Sequence, residues 1–392
     1  MLYKSRNVLF MNIGGVDTLI PLAQNICDRM PILRLNDTGS EIWKMTGFGS
    51  ELSDLVSRLA LFYDLSEDDM EDFRRDITDF TDQLIDCHAI VTEPDDKKSM
   101  PGFKLPALTT LPSAIGLSAA GLDLLLHTDK KYIHPDLRAF ISDTPAAESH
   151  QDVFFSSEKT AAKEFDPVID DPLLTLYEYE NGYLYHHPAN RSLKDMFVSK
   201  DARCCVMYTD DIDSEALPEE LFFALRESYL YLASLHDMYC LHSASVKYQN
   251  SDEALLFSGP SGMGKSTHTG LWNKYENTSY INGDLNLLAL EDGVPVIKGI
   301  PWCGTSGICD NRTHPVRAVT LLQKGPENII IPMDETDIIT GVFMRITSPR
   351  FDRDMTEKII DFLNRFCSGI RVRKLSCTVS EEAVKTIKKE LF

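Results

Sequence analysis

The run Gly259-Pro260-Ser261-Gly262-Met263-Gly264-Lys265-Ser266, followed by Thr267, has the spacing of a Walker A phosphate loop. Glycines at 259, 262 and 264 permit backbone torsions that a Cβ would forbid, so successive N–H groups can curl round a phosphate and the next helix can aim its N-terminus at it. Lys265, expected on a solvent-facing loop, would then reach the β- and γ-phosphates of a nucleoside triphosphate such as ATP, and the Ser266 hydroxyl would ligate Mg²⁺. Upstream stands Leu241-His242-Ser243, and downstream Ile281-Asn282-Gly283-Asp284-Leu285. An acidic residue ending the strand after such a helix is where Mg²⁺ is held, so Ser266 and Asp284 are the expected metal ligands. Asp284, His242 and Lys265 are the catalytic candidates.

This chemistry needs a strand before the loop and a helix after it. Ala254-Leu255-Leu256-Phe257-Ser258 is a short apolar run that predicts a buried strand, and Lys265 to Tyr275 predicts the helix. Further strands are predicted at Leu173 to Tyr177, around Leu184 and at Cys204 to Tyr208, with helices from Glu219 to about Leu235 and from Ser380. The first 93 residues predict a smaller unit. Asn7 to Met11 and Val16 to Ile20 flank the Gly14-Gly15 turn as a hairpin, and Pro31 to Leu35 predicts a third strand. A short helix capped near Asn36 to Thr38 follows, then one with Leu52, Leu55, Val56, Leu59 and Tyr63 on one face. In a third, Ser66 and Asp69 resemble a capping box, and Met70, Phe73, Ile77, Phe80 and Leu84 recur at spacings of three and four. Between 94 and 165 prolines interrupt the pattern, which predicts a linker with one apolar docking helix at Ile115 to Leu126 and a polar turn over 142–148. The catalytic unit is expected over 166–392.

A length of 392 residues with 43% hydrophobic content fits about two or three soluble domains. No uncharged apolar stretch of about 18 residues occurs and the N-terminus lacks a signal-peptide pattern, which predicts a cytoplasmic protein. Nine cysteines without a CxxC pair argue against a disulfide framework or zinc ribbon. The net charge of −21 disfavours nucleic acid and anionic membranes as partners, since either needs a basic footprint, but it suits a neutral or basic peptide.

The stretch Leu35-Asn36-Asp37-Thr38-Gly39-Ser40-Glu41-Ile42-Trp43 and the two helices ending Cys87-His88-Ala89-Ile90-Val91 resemble the PqqD-like domains, winged-helix units that recognise leader peptides of ribosomally made, enzymatically modified peptides. The resemblance implies peptide recognition by residues 1–93; a packing or homo-oligomerisation role is the alternative. An extended peptide added beside Ile32, Leu33 and Arg34, with pockets from the third helix near Phe73 and Ile77, is the expected groove. His242, the phosphate loop and Asp284 together resemble the catalytic domain of HPr kinase/phosphorylase, whose phosphate-loop fold is shared with ATP-dependent phosphoenolpyruvate carboxykinases. Gly299-Ile300-Pro301-Trp302-Cys303-Gly304-Thr305-Ser306, with Asn311-Arg312, resembles a loop in HPr-kinase-like proteins found beside peptide-modification genes. From it Trp302, Gly304, Thr305, Asn311 and Arg312 are candidate substrate contacts, with Trp302 either stacking on substrate or buried against the sheet.

These resemblances imply a multi-domain α/β protein in which a winged-helix unit precedes a phosphate-loop kinase domain using ATP and Mg²⁺. The expected activity is phosphorylation of a Ser or Thr hydroxyl in a precursor peptide. HPr kinases carry paired aspartates where this chain has Gly283-Asp284, so the general base stays open between Asp284 acting through a bridging water and His242. A small-molecule kinase and an ATP-gated peptide-binding module are the competing readings.

Overall fold

Val8–Ile13 (β2) and Val16–Pro21 (β3) pair antiparallel about Gly14 and Gly15, which take positive φ (59° and 84°) as a two-residue hairpin turn requires. They belong to a computed structural model that describes the whole chain except residues 23–30, 48, 95–99, 111–113, 143–147, 162–164 and 250. The polar turn expected over 142–148 lies largely outside the described residues. The chain divides into Met1–Met100 with Arg350–Thr356, and Pro101–Pro349 with Glu357–Phe392.

In the first unit, β1 (Tyr3–Lys4) pairs with β5 (Ile90–Val91), and β2-β3-β4 form a three-stranded sheet in which β4 (Leu33–Arg34) is an edge strand. Helix α1 (Asp37–Met45) is capped as expected, by Asn36 Oδ1 accepting from Gly39 N–H at 2.8 Å. Helices α2 (Leu52–Phe62) and α3 (Met70–Asp86) complete the unit. Ser66 does not form the expected capping box: its hydroxyl donates to the Asp69 carboxylate at 2.6 Å, and neither residue caps a helix through its side chain. The apolar stripe of α3 divides, with Ile77 and Leu84 buried in the core and Met70, Phe73 and Phe80 half-buried against it.

The second unit begins earlier than the catalytic boundary expected at 166. Ile115 to Leu126 is not a helix. It is the hairpin β6 (Ile115–Ala119) and β7 (Leu122–Leu126), turning at Ala120 and Gly121 with φ of 53° and 84°. These strands join β8 (Ile141–Ser142), β9 (Gln151–Ser156), β10 (Ile169–Asp170), β11 (Thr175–Tyr179), β12 (Gly182–His186), β13 (Leu193–Ser199) and β14 (Cys204–Thr209) in a nine-stranded sheet. Much of the expected linker is thus structural sheet.

Helix α4 (Leu217–Ser234) is buried on most sides because it contacts β13 on that sheet and β15 (Tyr239–Lys247) on another. The second sheet also contains β16 (Ala254–Ser258), β17 (Ser279–Asn282), β18 (Leu285–Glu291), β19 (Val294–Lys298), β20 (Thr313–Lys324), β21 (Ile329–Ile331) and β22 (Arg371–Cys377). β16 runs parallel to β20, and β20 to β22. Helix α5 (Lys265–Glu276) follows the phosphate loop, α6 (Glu335–Phe343) and α7 (Arg353–Ser368) precede β22, and α8 (Glu381–Leu391) ends the chain. Trp272 of α5 packs with Val384 and Ile387 of α8 on Leu255, Phe257 and Leu375 of the parallel strands. Each such fully buried Leu or Phe contributes roughly 1.5–3 kcal/mol.

His268, in the first turn of α5, is 3% exposed, its ring lies 5.0 Å from that of Phe257, and Nε2 has no hydrogen-bond partner among the described residues. Burial pushes its pKa down from the usual imidazole value to about 4. The unfolded chain therefore takes up this proton at a higher pH than the folded one. Stability is complete above the unfolded pKa and is lost as pH falls through that window, by about 3 kcal/mol at most. The drop in urea midpoint between about pH 7 and about pH 4.5 should shrink in His268→Leu; an undiminished drop contradicts this role.

Candidate active site

The phosphate loop leaves β16 at Ser258, whose hydroxyl donates to the His242 carbonyl at 2.7 Å and ties the loop's origin to β15. Gly262 and Gly264 take φ of 71° and 96°, and Gly264 is the N-cap of α5. Among the described residues no side chain caps that helix, which leaves its first N–H groups available to an anion. Gly259 is needed for a different reason, since a Cβ there would meet Met263 Cγ at 3.0 Å and the Leu322 carbonyl at 3.1 Å. Pro260, Ser261, Ser266 and Thr267 are exposed. Lys265 departs from expectation: it is only 9% exposed, with Nζ 3.4 Å from the Gly259 carbonyl. Burial lowers its pKa, the nearby Asp284 charge opposes that, and Arg345 adds to it.

His242 and Asp284 are brought together where β15 changes neighbours. His242 pairs with Leu285 of β18 and Ser243 with Ser258 of β16, while Ser243 N–H donates to the Asp284 carbonyl at 2.9 Å. His242 Nε2 then lies 3.2 Å from Asp284 Oδ1. This hydrogen bond holds the Asp284 pKa below its usual value against the opposing effect of burial, and the charges of His242, Lys265 and Arg226 add to it. Buried Asn282 shapes the turn: Oδ1 accepts from the N–H groups of Asp284 (2.9 Å) and Leu285 (3.0 Å). No second carboxylate fits beside Asp284. A Cβ on Gly283 would stand 2.3 Å from Ser306 Oγ and 2.6 Å from Ser306 Cβ.

Two residues that the sequence reading missed join this group. The Arg345 carbonyl accepts from His242 N–H at 2.9 Å, and the next residue, Ile346, bridges to Leu241, which brings the half-buried Arg345 to β15. Its guanidinium has no hydrogen bond or ion pair among the described residues, and its charge acts on Lys265. Arg226, on α4, lies over the Phe223 ring at 5.1 Å and acts on Asp284. Lys265 and Arg226 thus act on Asp284 and Arg345 on Lys265, an excess of positive charge around one carboxylate that suits a polyphosphate.

The remaining candidates separate. Trp302 is not an exposed stacking residue: it is 2% exposed and its Nε1 donates to the Phe222 carbonyl of α4 at 3.0 Å. Gly304, at φ 61°, backs directly on Asp284, where a Cβ would come within 2.8 Å of Asp284 Cβ, and Thr305 beside it is exposed. Asn311 and Arg312 line another cavity of about 390 Å³, whose lining includes none of His242, Lys265 and Asp284. Arg312 there is held by a two-pronged ion pair to Asp310. In the first unit Arg34 is exposed, and Ile32, Leu33 and Phe73 are half-buried. Ile77, at 1% exposure, is core and not groove, because it packs with Ile42, Leu55, Val56 and Leu59.

Residues 29–90 match the family model of coenzyme PQQ synthesis protein D (PqqD), so the hairpin β2–β3 lies outside the matched segment. No curated protein matches the chain. Among solved structures, the Hpr(Ser) kinase/phosphatase from Coxiella burnetii aligns over 38% of this chain and 95% of its own at 11% identity, with a TM-score of 0.23. That likeness is too distant to carry an argument. No described helix is long and apolar enough to cross a membrane.

Proposed function

We propose that the chain is an ATP- and Mg²⁺-dependent kinase that phosphorylates a Ser or Thr hydroxyl of a ribosomally synthesised precursor peptide, whose leader is held by the N-terminal PqqD-like domain. The observation that carries the reading is the group formed by the N-terminus of α5, buried Lys265, Arg345 without a partner among the described residues, and the hydrogen-bonded Asp284–His242 pair. The exposed Ser266 hydroxyl and the Asp284 carboxylate are hard oxygen donors and fit Mg²⁺. Bound there, Mg²⁺ would neutralise charge on the phosphates.

In this reading the backbone of Gly259 to Thr267 cradles the β-phosphate, while Lys265 and Arg345 hold γ-phosphate oxygens. The acceptor oxygen bonds to Pγ as the bond from Pγ to the β-bridging oxygen breaks and ADP leaves. The hydroxyl proton passes to the Asp284–His242 pair. With no space for a second carboxylate at 283, His242 is the one titratable side chain within hydrogen-bonding reach of Asp284 among the described residues. Support for peptide capture comes from the PqqD match and from the edge position of β4, whose outer side can receive an added strand. The exposed acidic residues Glu71, Asp72, Asp76 and Asp79 of α3 favour a leader with basic residues.

Release of ADP tests the reading against its two rivals. With ATP and Mg²⁺, turnover should require a precursor peptide that the N-terminal domain binds. Release supported by free serine alone would favour a small-molecule kinase, and nucleotide binding without release under any condition would favour a binding module.

A further inference from the structure

The nine-stranded sheet buries its two faces against different material. Tyr183 of β12 meets Tyr231 of α4 edge-on at 5.4 Å, so Leu184, at the alternate position, faces away from that helix. Register extends this second face: Leu184 pairs with Tyr177 and Phe197, and Phe197 with Val206. There Leu184, Phe197, Val206, Tyr179 and Tyr208 pack as one cluster rich in aromatic rings. The segment from Pro101 to Pro106 lies against it. Glu180 N–H donates to the Pro101 carbonyl at 3.0 Å, and the Asn181 side-chain amide accepts from Phe103 N–H at 2.7 Å and donates to the Phe103 carbonyl at 3.0 Å. Pinned in this way, Phe103 stacks on Phe197 with ring centroids 4.3 Å apart and stands edge-on to Tyr179 at 5.0 Å. Beside it opens a cleft of about 510 Å³, whose lining includes Phe103, Leu105, Phe165, Tyr179 and Tyr208. A second cleft of about 280 Å³ adjoins it and shares Thr160 and Tyr208.

The polar groups on this face are unequally satisfied. Asp195, 9% exposed, has His186 Nδ1 at 2.7 Å from Oδ1, and its Oδ2 accepts from the Thr160 hydroxyl. Tyr208 stands opposite Asp195 in the ladder and is 7% exposed, yet its hydroxyl has no hydrogen-bond partner among the described residues. A buried hydroxyl left unpaired is costly, so a guest that pairs with it gains affinity. Burial raises the Tyr208 pKa, which keeps the phenol a neutral donor. The charged residues lining the larger cleft, Lys104, Glu158 and Lys159, are exposed and of both signs, so its interior selects no net charge. We propose that this cleft is a binding site for a small uncharged aromatic molecule with one hydrogen-bond acceptor, its ring among Phe103, Phe165 and Tyr179 and its acceptor on the Tyr208 hydroxyl. Phe165 also meets Tyr179 edge-on, at 5.1 Å, and rings so arranged offer a planar guest the edge-to-face and offset contacts that aromatic quadrupoles favour. The volume lies within the range of about 300–1,000 Å³ that small ligands occupy. The lining contains none of His242, Lys265 and Asp284, so binding here stands apart from the kinase reading.

The test titrates the full chain with acetophenone and with ethylbenzene, which share a ring and a similar size but differ in the carbonyl, and reads dissociation constants by ligand-observed NMR. Acetophenone should bind about 2- to 10-fold more tightly, the difference expected of one hydrogen bond. Tyr208→Phe should bind the two equally, and its thermal midpoint should be no lower than that of the wild type, because the substitution deletes an unpartnered hydroxyl. Leu105→Trp, at a position 36% exposed, should fill the cleft and bind neither. Failure of the wild type to bind either probe overturns the proposal, as does equal affinity for both. A preference that persists in Tyr208→Phe, or binding undiminished in Leu105→Trp, places the guest elsewhere and overturns it too. A lowered midpoint in Tyr208→Phe has the same force, since the hydroxyl would then already be satisfied within the fold.

Discussion

Lys265→Met is expected to reduce phosphoryl transfer by about 10³-fold or more while the protein stays folded. Methionine is the informative replacement because Lys265 is 9% exposed and its stem is packed; alanine would remove that packing along with the charge. The ammonium feels the charges of both Asp284 and Arg345, so its loss removes from the phosphate loop the cation expected to hold the phosphates. Steady-state ADP release, with the thermal midpoint as a control on folding, checks this. Undiminished turnover would sink the phosphate-loop assignment.

The second large effect is expected at Asp284. Asparagine keeps the shape and one oxygen but removes the charge that a divalent cation requires, so the rate should fall by orders of magnitude. Retention of more than about a tenth of the wild-type rate, a barrier change below roughly 1.4 kcal/mol, would mean that another carboxylate is the principal ligand. His242→Ala should cost about 10²–10⁴-fold if the imidazole takes the hydroxyl proton. The two losses should not add, because each side chain holds the other at 3.2 Å.

The strand, loop and helix around Lys265 were legible because glycine spacing, an apolar run and a helical run are all local signals. Asn36 was legible for the same reason, as a cap next to the helix it caps. Ile115 to Leu126 was misread because a short apolar run fits a buried helix or a pair of strands equally well. The deciding signals were the Ala120-Gly121 turn and the buried alternation of Leu122, Leu124 and Leu126. Arg345 left no local trace. It reaches the site through the pairing of Leu241 with Ile346, a contact between segments far apart in sequence. Trp302 could not be placed because its partner, the Phe222 carbonyl, belongs to a helix whose position depends on two sheets. Gly283 was legible as a missing carboxylate, but that Ser306 fills the space became evident only in three dimensions.

The central claim, that one chain captures a leader and phosphorylates the peptide attached to it, is tested most directly by comparing KM of the intact enzyme for the precursor with and without its leader. Removal of the leader should raise KM by about tenfold or more, leave kcat nearly unchanged, and leave the phosphate on the same Ser or Thr by mass spectrometry. Equal KM values for the two peptides would contradict the account.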